Sequence, residues 1–401
     1  MRSPLPRSQS RQLPVPGGDA LVHTQDCAAM LREEIAKANG WVSFARFMEL
    51  ALYAPGLGYY AAGARKFGAD GDFVTAPEIS ALFGQCLAQS IAEVLRETGG
   101  DVLELGPGSG KLAKDILLAL DELATLPAKY CLLEVSADLR ARQQQAIATL
   151  PQHLSRRAVW LDRLPEDFTG VIIANEVLDV IPVHLVTFSS GGSYERGVAV
   201  KDGALTWQDV ALPTTLKNLV AELQAKNLGQ VPPDGYLTEV APAVKGLVNS
   251  LARAVKRGAL IFIDYGFRGA EFYHPSRITG TLMCHYRHYA HTDPFLYPGL
   301  QDITAHVDFT AVADAGSAAG LELLGYTTQA NFLLASGLTD RLQPMQATAD
   351  SAAVANYLSL TNQVQRLVSP AEMGEFFKVI GFGKDLASPI TAFQSARPMP
   401  L

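Results

Sequence analysis

The chain has 401 residues, with 40 acidic and 33 basic side chains and a formal charge of −7. Hydrophobic residues make up 48% and charged residues 18%, which excludes a disordered chain and fits two or three globular domains. The acidic balance argues against a protein built to grip nucleic-acid phosphates. No apolar run reaches the roughly eighteen residues that span a bilayer.

Residues 2–18 carry Arg2, Arg7 and Arg11 and no acid. Pro4, Pro6, Pro14 and Pro16 oppose the amphipathic helix of a transit peptide, so 1–25 are expected to be a flexible tail. Ordered structure should begin near Asp26. Met30, Leu31, Glu34, Ile35 and Ala38 make a helical stripe ending at Gly40. Ser43 is placed to cap a second helix, which stops at Pro55 and Gly56. The segment Gly56–Ala76 reads as a loop. A long helix is expected from Pro77 to about Thr98, because Ile79, Leu82, Phe83, Cys86, Leu87, Ile91 and Val94 keep the 3.6 period.

From Asp101 the pattern becomes short apolar strands alternating with helices. The strand candidates are Val102–Leu105, Tyr130–Val135, Ala158–Leu161, Val171–Ala174 and Ala259–Asp264, with Leu321–Thr327 and Phe376–Phe382 later. Apolar strands separated by helical stripes imply an α/β protein with a parallel sheet covered on both faces. His184–Trp207 is β-rich and reads as a hairpin extending that core. Residues 266–307, rich in Gly, Pro, His and Tyr, read as a long functional loop. Three units are expected: a 1–25 tail, a 26–99 helical cap and a 100–401 core with insertions near 184–235 and 266–307.

Cys27, Cys86, Cys131 and Cys284 are scattered, which predicts neither a disulfide framework nor a thiolate metal site. Five of the eight histidines fall between His274 and His306, but in a loop-like segment without ligand spacing, so no metal is expected.

The strongest local signal is Val102–Leu105 followed by Gly106, Gly108 and Gly110. A strand ends in three alternating glycines and a helix follows. Glycine allows a sharp turn and close approach of backbone to a ligand, and the helix start offers free N–H groups. Lys111 stands where a dinucleotide fingerprint needs its third glycine, which disfavours a nicotinamide cofactor.

With Glu104 in the strand, E-x-G-x-G-x-G resembles motif I of class I S-adenosylmethionine (SAM)-dependent methyltransferases. More specific segments resemble the MidA family. They are Phe47–Tyr53, Gly56-x-Gly58-Tyr59-Tyr60, Gly71–Ser80, Leu105–Gly110, Ala174–Asp179, Gly280–Leu282, Asp302–Phe309 and Met373–Lys378. The resemblance covers roughly 26–385. It implies a Rossmann-like seven-stranded sheet with an added N-terminal helical region, and SAM as cofactor. It places Glu134 on the ribose, Asp162 near the adenine, and Thr75, Pro77 and Glu78 near the methionine end. Thr75–Glu78 also reads as a capping box with proline in the first turn.

The family relative in mitochondria implies protein arginine methylation, with an arginine-bearing segment of a complex I subunit as one expected substrate. A homodimer is compatible with this, and neither nucleic acid nor a transmembrane segment is expected. A bacterial-type member would act in the cytoplasm, a eukaryotic one in the mitochondrial matrix. A small-molecule methyltransferase and a SAM-binding assembly factor without turnover remain alternatives.

Ligands of an open α/β sheet lie beyond the carboxyl ends of the strands, where the fourth strand delivers Asn175, Glu176 and Asp179. Carboxylates pair with the planar N–H fork of a guanidinium. Glu176 and Asp179 are the expected partners, with Asp264 a third candidate. His291, with Asp302 and Asp308, is expected to shape the acceptor site. Tyr59 and Tyr60 are candidates for its wall or for the core.

Overall fold

Runs of Val, Ile, Leu and Ala become the central strands because side chains on both faces are buried. In a computed structural model that describes residues 13–62, 74–228, 232–342 and 351–401, they are β1 (Asp101–Leu105), β2 (Tyr130–Leu133), β3 (Ala158–Leu161), β4 (Phe168–Asn175), β5 (Val255–Phe267), β6 (Glu322–Thr328) and β7 (Phe377–Lys384). The spatial order is β6-β7-β5-β4-β1-β2-β3. The first five strands pair in parallel, and β7 runs antiparallel to both β5 and β6.

Ile172 of β4 stands beside Leu103 and Leu260, and Ile173 beside Glu104 and Ile261. Successive residues point to opposite faces. Ile173 and Ile261 therefore join the cluster under helices α4 (Ala81–Thr98) and α5 (Lys111–Glu122). Ile172 and Leu260 join the cluster under the helices Pro242–Ala254 and Phe309–Ala318. Each such side chain contributes roughly 1.5–3 kcal/mol when fully buried.

Several elements differ from expectation. Helix α1 (Gly18–Lys37) starts eight residues before Asp26, and Thr24 is buried with its hydroxyl donating to the Pro298 carbonyl at 2.9 Å. Residues 18–25 are thus part of the packed structure, whereas 1–12 lie outside the described residues, as do Gly71, Asp72 and Phe73 of the family-like segment. Helix α2 (Phe44–Tyr53) is capped by Ser43, which accepts from the Arg46 N–H at 3.2 Å.

The long helix expected from Pro77 is two. Short α3 (Ala76–Ile79) stops at Ser80, whose backbone is extended (φ −156°, ψ 138°) and whose hydroxyl caps α4. The segment His184–Trp207 does not extend the main sheet. It contributes to a separate five-stranded sheet in which Trp41–Ser43, Gly192–Lys201, His184–Ser189 and Tyr236–Val240 follow one another and Ala204–Ala211 pairs with Gly192–Lys201.

The 266–307 excursion is also more regular than a loop. It holds a three-stranded sheet of Met283–Tyr286, Tyr289–His291 and Asp302–Thr304. Val307 and Asp308 then pair in parallel with Gly266 and Phe267 at the end of β5. Gly266 is required there, since a Cβ would sit 2.1 Å from the Val307 carbonyl oxygen. Phe44, Phe47, Met48, Val183, Leu185, Val198, Cys284 and Ile303 share one core. Helices α1 and α2 and parts of both insertions therefore share one core, which meets the main sheet at the turn after β4 and at the end of β5.

Candidate active site

A cleft of about 910 Å³ opens beyond the carboxyl ends of β1, β2, β4 and β5. Its floor begins at the glycine turn. Gly106 (φ 57°) and Gly108 (φ 53°) adopt left-handed backbone and line the cleft. A side chain at Gly106 would also meet Val177 at 3.0 Å. Gly110 (φ 82°) does not line it; this residue starts α5 and packs against Gln143.

Thr75, Pro77 and Glu78 line the cleft from α3 and the residue before it. The expected capping box does not form, because the Thr75 side chain makes no cap bond. Glu78 instead accepts the hydroxyl of Ser109, tying α3 to the glycine turn.

Glu134 lines the cleft after β2. Its carboxylate accepts from the Ser136 N–H at 2.8 Å and from Gln143 Nε2 at 2.9 Å, and Gln143 also donates to the Gly108 carbonyl at 3.0 Å. Buried Gln143 thus links the glycine turn to the acid after the next strand. Sequence reading missed Gln143, which is one of three consecutive glutamines in helix α6 (Ala137–Ala148) and is told apart only by its burial. Glu104 is buried in β1 and accepts the Tyr130 hydroxyl at 2.7 Å. Burial outweighs that bond and pushes its carboxyl up to about 7.

The turn after β4 carries Asn175, Glu176 and Asp179, all at the cleft. Glu176 has φ 54°, a left-handed conformation that costs a non-glycine residue energy and recurs at functional sites. Its N–H donates to the Ile263 carbonyl at 2.9 Å, and Asn175 Nδ2 donates to its Oε1 at 3.0 Å. Burial, then the Asp179 charge, push its carboxyl up to about 8. Burial pushes Asp179 up to about 6, against a bond from the Tyr265 hydroxyl. Facing these acids are Asp302, which accepts the Tyr60 hydroxyl at 3.1 Å, and Tyr53, whose ring stacks on Tyr60 at 5.6 Å. Tyr59 is buried behind them, edge-on to Tyr60.

Four sequence candidates lie elsewhere. Asp264 is fully buried beneath the turn and accepts backbone N–H bonds from Val177, Leu178 and Asp179. It shapes the site without lining it. Asp162 points to solvent and pairs with Arg140 at 2.8 Å. His291 is outside the cleft, and its Nδ1 accepts from the Asp293 N–H at 3.3 Å. Asp308 caps the helix Phe309–Ala318 through bonds from Thr310 and Ala311. The histidines that do reach the cleft are His285 and His306. Among the described residues, no group of three His, Cys, Asp or Glu side chains is arranged to hold a metal ion, and no helix is long and apolar enough to cross a membrane.

Three buried atoms on the lining residues have no hydrogen-bond partner: Asn175 Oδ1, Asp179 Oδ1 and His306 Nδ1. Two are obligate acceptors. The third belongs to an imidazole that burial keeps neutral, which carries one N–H and one lone pair on its two ring nitrogens.

Residues 86–327 match the sequence profile of a family described as "Putative S-adenosyl-L-methionine-dependent methyltransferase". The chain belongs to this methyltransferase family. The methyltransferase shares 47% identity and a TM-score of 0.89 with a Burkholderia thailandensis protein whose crystal structure holds S-adenosyl-homocysteine, covering 96% of this chain and 99% of that one. It is 28% identical to the protein named "Protein arginine methyltransferase NDUFAF7 homolog, mitochondrial" of Caenorhabditis elegans, over 84% of this chain and 82% of that one. The protein arginine methyltransferase NDUFAF7 of Danio rerio is 29% identical, over 85% and 83%. The fold and the cofactor implied by the resemblance in the sequence agree with these findings.

The residues present suit SAM. The ligand carries an ammonium, a sulfonium and two ribose hydroxyls, which seek acceptors, and a carboxylate, which the backbone N–H groups of the glycine turn can meet. The cleft offers orphaned acceptors, buried carboxyls and a turn whose glycines leave the backbone open to close approach.

Proposed function

We propose that this methyltransferase modifies a guanidinium nitrogen of arginine in a protein partner. The observation that carries this is the pairing of Glu176 and Asp179 in one buried turn, with both carboxyls held above their ordinary range by burial. Such a pair gains most from a ligand that brings a delocalised positive charge and several N–H donors. The names of the eukaryotic relatives support an arginine substrate. A complex I subunit as the partner, and mitochondria as the place of action in eukaryotes, extend the same likeness.

SAM, when bound, supplies a methyl carbon made electrophilic by the adjoining sulfonium. The remaining work belongs to the protein. Glu134 and the glycine turn would hold the nucleoside and amino-acid parts over β1 and β2, with Glu78 fixed by Ser109 at the methionine end. Glu176 and Asp179 would orient the guanidinium over β4, so that a nitrogen lone pair faces the methyl carbon in line. Alignment of this kind supplies much of a transfer rate. A guanidinium is a poor nucleophile because its lone pairs are delocalised. Carboxylates on two N–H groups concentrate electron density on the nitrogen that reacts. The reacting nitrogen gives up one proton as the N–CH3 bond forms, and Glu176, once ionised by the charge of the bound guanidinium, would accept it.

The test is transfer of isotopically labelled methyl from SAM to protein extract from cells lacking this gene, followed by acid hydrolysis and mass spectrometry. Labelled methylarginine is expected. Label confined to other amino acids or to small molecules would defeat the arginine assignment.

A further inference from the structure

The sheet order separates the cleft into two ends. Glu134 and the glycine turn follow β2 and β1; Asn175, Glu176 and Asp179 follow β4; Tyr265 and His306 stand over β5 beyond them. His306 directly precedes the two residues that pair with the end of β5. Its ring is clamped, stacked on Phe267 (5.2 Å, 17°) and edge-on to Tyr265 (5.0 Å, 87°). Tyr265 in turn donates its hydroxyl to Asp179. His306 therefore sits one residue removed from the carboxyl pair, on the side away from the glycine turn, with Nδ1 buried and unpartnered.

We propose that His306 is a binding residue for the methyl acceptor, its Nδ1 accepting an N–H of the guanidinium held by Glu176 and Asp179. This rests on the arginine reading above. Burial pushes the imidazole down to about 4, and the charges of Arg277, Lys378 and His285 act in the same direction. The ring is consequently neutral at physiological pH, with one nitrogen lone pair, which the proposal assigns to the unpartnered Nδ1. A neutral acceptor orients a cation without adding another negative charge to a site already rich in carboxyls. His291, which the sequence had singled out, lacks this placement.

The test compares wild type, His306→Phe and His306→Asn. Phenylalanine keeps the stacked ring and removes the acceptor; asparagine restores an acceptor oxygen at the same number of bonds from Cα. Methylarginine formation is measured at limiting and at saturating protein extract, and S-adenosyl-homocysteine affinity by calorimetry. For His306→Phe the expected result is a loss on the order of ten-fold or more at limiting acceptor, with a smaller loss at saturation and affinity for S-adenosyl-homocysteine within two-fold. His306→Asn should recover most of the loss. Unchanged rates in His306→Phe, no recovery in His306→Asn, or a loss residing in S-adenosyl-homocysteine affinity would each overturn the proposal while leaving the arginine reading intact. A wild type that forms no methylarginine would overturn both.

Discussion

Oδ2 of Asp264 accepts the N–H of Leu178 at 2.8 Å, and the same oxygen takes the N–H groups of Val177 at 3.2 Å and Asp179 at 3.3 Å. One buried side chain at the end of β5 thereby fixes the turn that follows β4, and with it the left-handed backbone of Glu176. Its carboxyl is pushed well up by burial and by the charges of Asp179 and Glu176. Replacing Asp264 with Ala strands three backbone donors in the interior. We expect a loss of roughly 2–4 kcal/mol in stability, measurable by urea denaturation, with Asp264→Asn less severe. An Asp264→Ala protein as stable as wild type would show that the turn holds itself.

Glu176→Gln separates function from stability. The folded protein keeps Glu176 protonated up to about pH 8, whereas the unfolded chain releases that proton near 4.5. Between those values the native state binds more protons than the unfolded state, so this group's contribution falls as pH rises. Glutamine mimics the neutral form and removes the penalty, which is on the order of a few kcal/mol at pH 8. The expected outcome is a ligand-free protein that melts a few degrees higher at pH 8, with little change at pH 4.5. Methylation should fall by about a hundred-fold or more. Differential scanning fluorimetry at the two pH values, together with the transfer assay, checks both halves.

The pH profile follows from the same groups. Pairing with a guanidinium needs ionised carboxylates, and kcat/KM reports the free enzyme. It should rise with pH through about 6, as Asp179 ionises, and again through about 8 with Glu176. No decline is expected as the acceptor nears pH 9, since a guanidinium stays protonated. In Glu176→Gln the upper rise should vanish.

Gly106→Ala and Asp162→Ala form a contrasting pair. An alanine at Gly106 must take φ 57° and crowd Val177, which distorts the turn. S-adenosyl-homocysteine affinity should drop ten-fold or more, on the order of the strain expected for such a residue. Asp162, with its side chain 86% exposed, should give an affinity within two-fold of wild type. Isothermal titration calorimetry distinguishes the two.

The contrast shows where sequence reading works. The strand segments along the chain, the glycine turn and the acids after β2 and β4 were legible, because apolar runs, glycine spacing and the ends of strands are local signals. Asp162 ends β3 at the same formal position, yet Arg140 draws it to the surface, and that partner is decided by packing of α6. Asp264 could not be told from Glu176 by type or placement at a strand end; only the turn folding over it does so. The cap was the least legible part. Trp41–Ser43 and Tyr236–Val240 lie almost 200 residues apart but belong to one sheet with the strands between them. The capping-box pattern at Thr75 was overridden by Ser109, which claims Glu78 from a different element.

The most direct test is a crystal structure of the protein with S-adenosyl-homocysteine and an arginine-containing acceptor peptide. Guanidinium nitrogens within hydrogen-bond distance of Glu176 and Asp179, with the sulfur of the nucleoside facing them from the glycine turn, are the expected result. An acceptor bound elsewhere, or a nucleoside lying over β5 with the turn at Gly106 and Gly108 untouched, would contradict it.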